Sequence, residues 1–429
     1  MDAFRLFRLL RRLASHLWHL RLAALARELG ALGRRGALAL RALLDRRTLR
    51  RQLAGRVRGR RVIVLPPTLD WSLPLFQRPQ QLARAYSEKE NTLVLYLTAN
   101  QSHDRVMALQ PVSETLWLVN AALARFLPAL LRGAAETVLS LSWTVNRRYA
   151  ALLRPDKLIY EYIDELEIFD GYDEQMRRDH LALLRRADLT VCTAARLYEQ
   201  ARGAARRAIL CPNAGDYAFF SRTPQTEPAP EAAAAAAQYR FTLGYYGALA
   251  EWFDYDLIAR AADLRQDWLF LLVGMDYDGS LRRSGVLERH NVRWIPPQPY
   301  ERLPAYLRVF DLALIPFVLN AVTLSTSPVK LFEYMAAQKP ILCSRMPECL
   351  RYRCVETYAD GADFLRKAEA LLARLGDEEL RALLRSEALE NTWSARADEI
   401  LRSLDAPESA AEATRSFPLV AKKAISDGF

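Results

Sequence analysis

A chain of 429 residues is longer than one hydrophobic core usually serves, so at least two domains are expected. It is 51% apolar and 26% charged, a globular balance that excludes a disordered or membrane-embedded protein. The net charge of +10 is local: residues 1–60 hold 16 Arg, no Lys and 3 acidic residues, which leaves 44 basic against 47 acidic residues beyond and argues against a nucleic-acid-binding body.

In chain order, residues 4–27 read as an amphipathic helix. Leu6, Leu10, Leu13, Leu17 and Leu20 recur at helical spacing, with Arg5, Arg8 and Arg12 opposite. The Arg-, Leu- and Ala-rich texture continues to residue 60. Such an extension suits an anionic membrane surface, where each Arg near the headgroups contributes about 1 kcal/mol. A helical hairpin packed on the body and an organelle transit peptide are the alternatives. No apolar run approaches the roughly 18–20 residues of a membrane span.

At Arg61 the texture changes. Apolar strand runs are read at 62–65, 92–97, 116–119, 137–141, 158–162, 189–192 and 208–211, with helices between, the first over Phe76–Tyr86. Residues 221–238, with Pro224, Pro228, Pro230 and an alanine run, read as a linker. Strands follow at 241–246, 268–273, 292–295, 311–315 and 340–343, alternating with helices near 254–264, 280–288, 301–308 and 328–337. Helices close the chain at 362–374, 377–389 and 393–404. Strand–helix alternation of this kind predicts α/β architecture: two Rossmann-like parallel-sheet domains facing a cleft, at 61–220 and 239–390. A helical basic extension (1–60) precedes them; a closing helix (391–405) and a loosely ordered tail (406–429) follow.

Five cysteines (192, 211, 343, 349 and 354), odd in number and without CxxC spacing, suit the reduced thiols of a cytoplasmic protein. The five histidines are dispersed, so no metal site is expected.

The most informative stretch is Ser327-Pro328-Val329-Lys330-Leu331-Phe332-Glu333. Ser327 is a suitable N-cap and Pro328 a suitable first helical residue. The helix start then offers free amides and a positive dipole end to a phosphate, with Lys330 adding a full charge and Glu333 following on the same face. Three loops at the carboxyl ends of strands converge on it. One carries Gly247, which allows close backbone approach to a phosphate. A second presents Trp294 to a nucleobase. The third carries Asn320, Thr323, Ser325 and Thr326, whose hydroxyls and amide suit sugar or phosphate contacts. The first loop is not GxGxxG, so no dinucleotide cofactor is expected.

These residues resemble the GT-B glycosyltransferases, specifically the retaining group called family 4. The resemblance spans about residues 61–404. It is strongest at Gly244-Tyr245-Tyr246-Gly247 with Glu251-Trp252-Phe253-Asp254, at Ile315-Pro316-Phe317 with Asn320, and at Ser327–Tyr334; Phe76–Pro79, Cys211–Tyr217 and Thr392–Arg396 fit the same group. It implies that Glu333 binds the donor ribose, that Lys330 and the helix amides hold the diphosphate, and that the closing helix crosses back onto the first domain. It also implies transfer of a sugar from a nucleotide-sugar co-substrate, with retention and without a metal, to a glycan or lipid-linked acceptor. Arg78, His103, Asp164 and Glu165 are acceptor-side candidates. The chain departs from the group at three places: Ser325 stands where a second glutamate is common, Ala248–Phe253 lack the usual Arg and Lys, and Pro66-Pro67 replace a glycine pair. A peripheral enzyme of surface-polysaccharide synthesis at the cytoplasmic membrane face is the resulting expectation. A nucleotide-sugar epimerase and a non-catalytic scaffold on the same fold are the alternatives.

Overall fold

The computed structural model describes residues 44–73, 76–169 and 171–407. The helix expected over residues 4–27, with its proposed membrane contact, and the tail beyond residue 407 lie outside them.

Two α/β domains carry one sheet each. The first sheet holds β1 (Arg61–Leu65), β2 (Thr92–Thr98), β3 (Leu109–Pro111), β4 (Leu116–Asn120), β5 (Glu136–Leu141), β6 (Lys157–Tyr162), β7 (Leu189–Cys192) and β8 (Ala208–Leu210). Their order is β3-β4-β2-β1-β5-β6-β7-β8, parallel except for the β3–β4 pair. The second holds β9 (Phe241–Tyr246), β10 (Trp268–Val273), β11 (Val292–Ile295), β12 (Leu312–Ile315), β13 (Ile341–Ser344) and β14 (Val355–Tyr358). Its order, β11-β10-β9-β12-β13-β14, is parallel throughout. Continuous apolar runs such as Leu93–Leu97 are buried because helices cover both faces of a parallel sheet.

The strands the sequence left unread, β3 and β14, are both edges. Leu109-Gln110-Pro111 and Val355-Glu356-Thr357-Tyr358 are short and polar because one side of each lacks a partner strand.

Alternating side chains divide the first core. Val62 and Val64 face one layer, Ile63 and Leu65 the other. The helix at 44–57 inserts Leu49, Leu53 and Val57 into the Val62 layer. The end of the Arg-rich extension is therefore part of the first domain, not a free appendage. The closing helix Trp393–Asp405 crosses to the opposite layer with Trp393, Ala397, Ile400, Leu401 and Leu404. Residues expected as a patternless linker include a helix, Pro230–Ala236, because proline suits a first turn and alanine is the best helix former. Its Ala232 is fully buried in the second core. Among the described residues, no helix is long and apolar enough to cross a membrane.

Candidate functional site

In an open parallel sheet, the crevice for a ligand lies where consecutive connections leave to opposite sides. In the second sheet that point lies between β9 and β12. The loops that follow these strands are tied together: Val318 N donates to Trp252 O (2.8 Å), and Asp254 N to Pro316 O (2.8 Å). Gly247 and Gly274 line the crevice with φ of +136° and +151°. A Cβ at 274 would stand 1.8 Å from the Gly247 carbonyl oxygen, and one at 247 would stand 2.9 Å from Lys330 Cε. Gly247 thus makes room for Lys330 as well as for any ligand.

The helix Val329–Ala336 begins here, and no side chain caps it. The expected cap does not form. Ser327 Oγ instead accepts from Asn213 N (3.1 Å), while Asn213 Nδ2 donates to Ser327 O (2.7 Å), so the loop after β8 has captured that hydroxyl. The first-turn amides are left without a side-chain partner. Lys330 Nζ lies 5.2 Å from the ring centres of both Tyr245 and Phe317. It makes no hydrogen bond or ion pair among the described residues. Burial lowers its pKa to about 8, against the pull of Glu333.

Glu333 is only 4% exposed. It accepts from the Tyr246 hydroxyl (2.6 Å) and, at 3.4 Å, from Tyr300, which in turn accepts from Gln81 Nε2 of the first domain (3.2 Å). Burial raises its pKa to about 7, opposed by the Tyr246 bond and Lys330. In this arrangement both carboxylate oxygens face phenols, so the ribose contact implied by the resemblance requires Tyr300 to give way.

The third loop is more self-contained than its composition suggested. Asn320 N donates to Thr323 Oγ1 (2.9 Å), Thr323 N to Asn320 Oδ1 (3.0 Å), Thr323 Oγ1 to Val318 O (2.6 Å), and Thr326 Oγ1 to Val322 O (2.7 Å). These side chains shape the loop. Ser325 Oγ crosses the cleft to Glu165 Oε1 (2.9 Å), which also receives Arg196 Nε (2.8 Å) and Gln200 Nε2 (2.9 Å). Trp294 Nε1 donates to Gly274 O (2.9 Å), and the Arg282 guanidinium lies 4.8 Å from its ring centre. Arg282, against the Trp294 ring, was not foreseen; Glu165, read as an acceptor-side candidate, instead bonds Ser325 of the second domain. The signal for Arg282 was a basic pair, Arg282-Arg283, in the short helix Ser280–Arg283 that follows β10; the Glu165–Ser325 contact spans 160 positions and had none.

Of the acceptor-side candidates, Arg78 lies in the core, 3% exposed, bonded to Glu161 (2.6 Å), Pro212 O (3.1 Å) and Asn213 Oδ1 (3.3 Å). It joins the sheet to the loop after β8 and does not face the cleft. His103 is exposed on a turn whose amides 101–104 all point at Asp70, holding that carboxyl well below its usual range. Asp164 stands beyond β6, half-buried and without a hydrogen-bond partner among the described residues, and burial raises its pKa to about 6. Among the described residues, no group of three His, Cys, Asp or Glu side chains is placed to hold a metal.

Residues 240–376 match the family described as Glycosyl transferases group 1. TuaH of Bacillus subtilis (strain 168), provisionally named a teichuronic acid biosynthesis glycosyltransferase, is 26% identical over 232 residues, 52% of this chain and 58% of TuaH. The chain thus matches little more than half the length of that curated relative. Sucrose-phosphate synthase from Thermosynechococcus elongatus superposes with a TM-score of 0.59 at 14% identity, over 80% of this chain and 98% of that one. Anabaena HepE, solved with UDP and glucose, superposes with 0.55 at 14% identity, over 81% and 99%. At these identities the likeness establishes the fold, which is GT-B.

Proposed function

We propose, for a chain that carries a glycosyl transferases group 1 domain on a GT-B fold, that it transfers a sugar from a nucleoside-diphosphate donor to a glycan or lipid-linked acceptor of a cell-surface polysaccharide. The observation that carries this reading is the uncapped start of Val329–Ala336 with the unpaired Lys330 beside it, at the switch point of the second sheet. The diphosphate gains negative charge as the glycosidic bond breaks. Free amides and a fixed ammonium stabilise that charge without reorganising, which allows departure without a metal. Trp294, with Arg282 against its face, would pack on the base. TuaH's name, which places it in teichuronic acid synthesis, supports a polysaccharide product, and HepE, solved with UDP, supports a uridine donor. Retention, with the donor phosphate taking the acceptor proton, completes the proposal.

Thermal-shift titration with UDP, GDP, ADP and TDP tests it. At least one should stabilise the wild-type chain, UDP foremost, and Lys330→Ala should lose that response; no shift with any of the four would overturn the reading. An acceptor-independent change of the donor sugar would favour an epimerase instead. Membrane association through residues 1–43 belongs to the same proposal. Flotation with anionic vesicles should separate the full chain from one starting at Leu44, which keeps the core residues Leu49, Leu53 and Val57; equal flotation would remove the anchor.

A further inference from the structure

At the amino ends of its strands, away from the donor loops, the second sheet borders a cavity of about 220 Å³. Asp311 leads into β12 and Pro340 into β13, which pair in the sheet, and both line the cavity. The connection 374–377 before the helix Glu378–Glu390 closes its other side. Gln338 and Lys339 line it just past the end of the helix Val329–Ala336. The cavity and the donor-side amides therefore lie at opposite ends of one helix, about 12 Å long.

The lining is cationic. Arg308, Lys339, Arg374 and Arg381 stand there against Asp311 and Asp377. Both carboxylates are already committed. Asp311 accepts from Thr242 N (2.8 Å), and Asp377 accepts from Glu379 N (2.9 Å) and Leu380 N (3.1 Å) and pairs with Arg374 (2.7 Å). Arg381 is paired with Glu378 (2.8 Å). The Arg308 guanidinium has no hydrogen bond or ion pair among the described residues. Lys339 Nζ donates to Arg308 O (3.0 Å) and Phe310 O (2.7 Å), which fixes the ammonium and leaves its third hydrogen without a partner among the described residues. Burial lowers its pKa to about 8; Arg308 and Arg381 press the same way, and Asp311 opposes them. Gln338 adopts φ +55°, a conformation that glycine or asparagine takes with less strain. Its side-chain amide has no partner among the described residues.

We propose that this cavity binds a small phosphate anion, inorganic phosphate or pyrophosphate, held by Arg308, the third hydrogen of Lys339 and the amide of Gln338. An anion supplies the charge that these crowded cations lack, and a guanidinium meets two phosphate oxygens at once. The volume is below the roughly 300 Å³ at which pockets for drug-sized ligands begin, so it suits the anion alone and not a nucleotide. The site does not depend on the transferase reading.

Calorimetric titration of the full chain with sodium phosphate and with sodium pyrophosphate, at constant ionic strength, tests the proposal. At least one should bind, and Lys330→Ala, which removes the donor-side ammonium, should retain a binding step of the same affinity. Arg308→Ala should weaken that step about tenfold or more, and Arg308→Glu should abolish it. Arg308 is exposed, so both variants should keep the wild-type unfolding midpoint. Gln338→Gly should weaken binding severalfold yet leave the midpoint unchanged or higher, because glycine relaxes the turn; a merely structural glutamine would not separate the two readouts. Absence of binding by both anions, or wild-type affinity in Arg308→Glu, would overturn the site. So would loss of all binding in Lys330→Ala, which would put the anion at the donor end of the helix.

Discussion

Two sets of neighbouring cation and carboxylate, Arg78 with Glu161 and Lys330 with Glu333, are built differently. Arg78 and Glu161 meet at 2.6 Å, each 3% exposed, beneath the closing helix. Lys330 and Glu333 lie one turn apart on one helix, yet the carboxylate is bonded to tyrosines and the ammonium to nothing among the described residues. A charge matched by a partner inside the protein holds the fold. A charge left unmatched in a crevice costs stability and persists where a ligand supplies the partner. The first pair reads as structure, the second as a site.

The largest effect separating them should be on stability. Arg78→Ala leaves Glu161 buried without its partner and frees Pro212 O and Asn213 Oδ1, so it should cost about 3–5 kcal/mol in chemical denaturation. Lys330→Ala should leave the unfolding midpoint unchanged or slightly raised, because a desolvated ammonium is removed. A large loss of stability in Lys330→Ala would erase the distinction. Its effect should fall on binding instead, with affinity for the nucleoside diphosphate down about 10- to 100-fold, the worth of one charge-assisted hydrogen bond.

Much of this contrast was legible in the sequence, and its limits are physical. Apolar runs marked the central strands because burial on both faces forces them. Edge strands β3 and β14 escaped because that pressure is absent. The proline, lysine and glutamate at the start of the Val329–Ala336 helix are local signals read within one turn. Ser327 had the chemistry of a cap, but its hydroxyl was taken by Asn213, 114 positions away, and local propensity cannot report such competition. Arg78, at the start of a helix, was taken for an acceptor-side residue because its partner Glu161 lies 83 positions away.

The titration of Lys330 sharpens the comparison more finely. With a pKa near 8, it is charged at pH 7 and loses its proton as pH rises, whereas an ordinary lysine would hold charge to about 10. Diphosphate affinity should therefore fall severalfold between pH 7 and 9 in the wild type and stay flat in Lys330→Ala. Stability of the ligand-free chain should move the other way. Between pH 8 and the ordinary lysine range the unfolded chain binds more protons at this position than the folded one, so folding is favoured as pH rises. Titration calorimetry and denaturation over the same buffers check both signs; affinity that declines only near pH 10 would mean that Lys330 is solvated and ordinary.

The smallest effect belongs to Ser325→Ala. This hydroxyl crosses the cleft to Glu165, yet the same carboxylate oxygen keeps Arg196 and Gln200 when the serine is removed. A hydrogen bond with two substitutes in place should be worth about 1 kcal/mol or less in denaturation. Arg78 has no such substitute for Glu161, which is the physical content of the contrast between a contact that closes a cleft and one that builds a core. If Ser325→Ala destabilised the chain as much as Arg78→Ala, the two domains would be welded at Glu165, and a cleft that opens and shuts around a donor would have to hinge elsewhere.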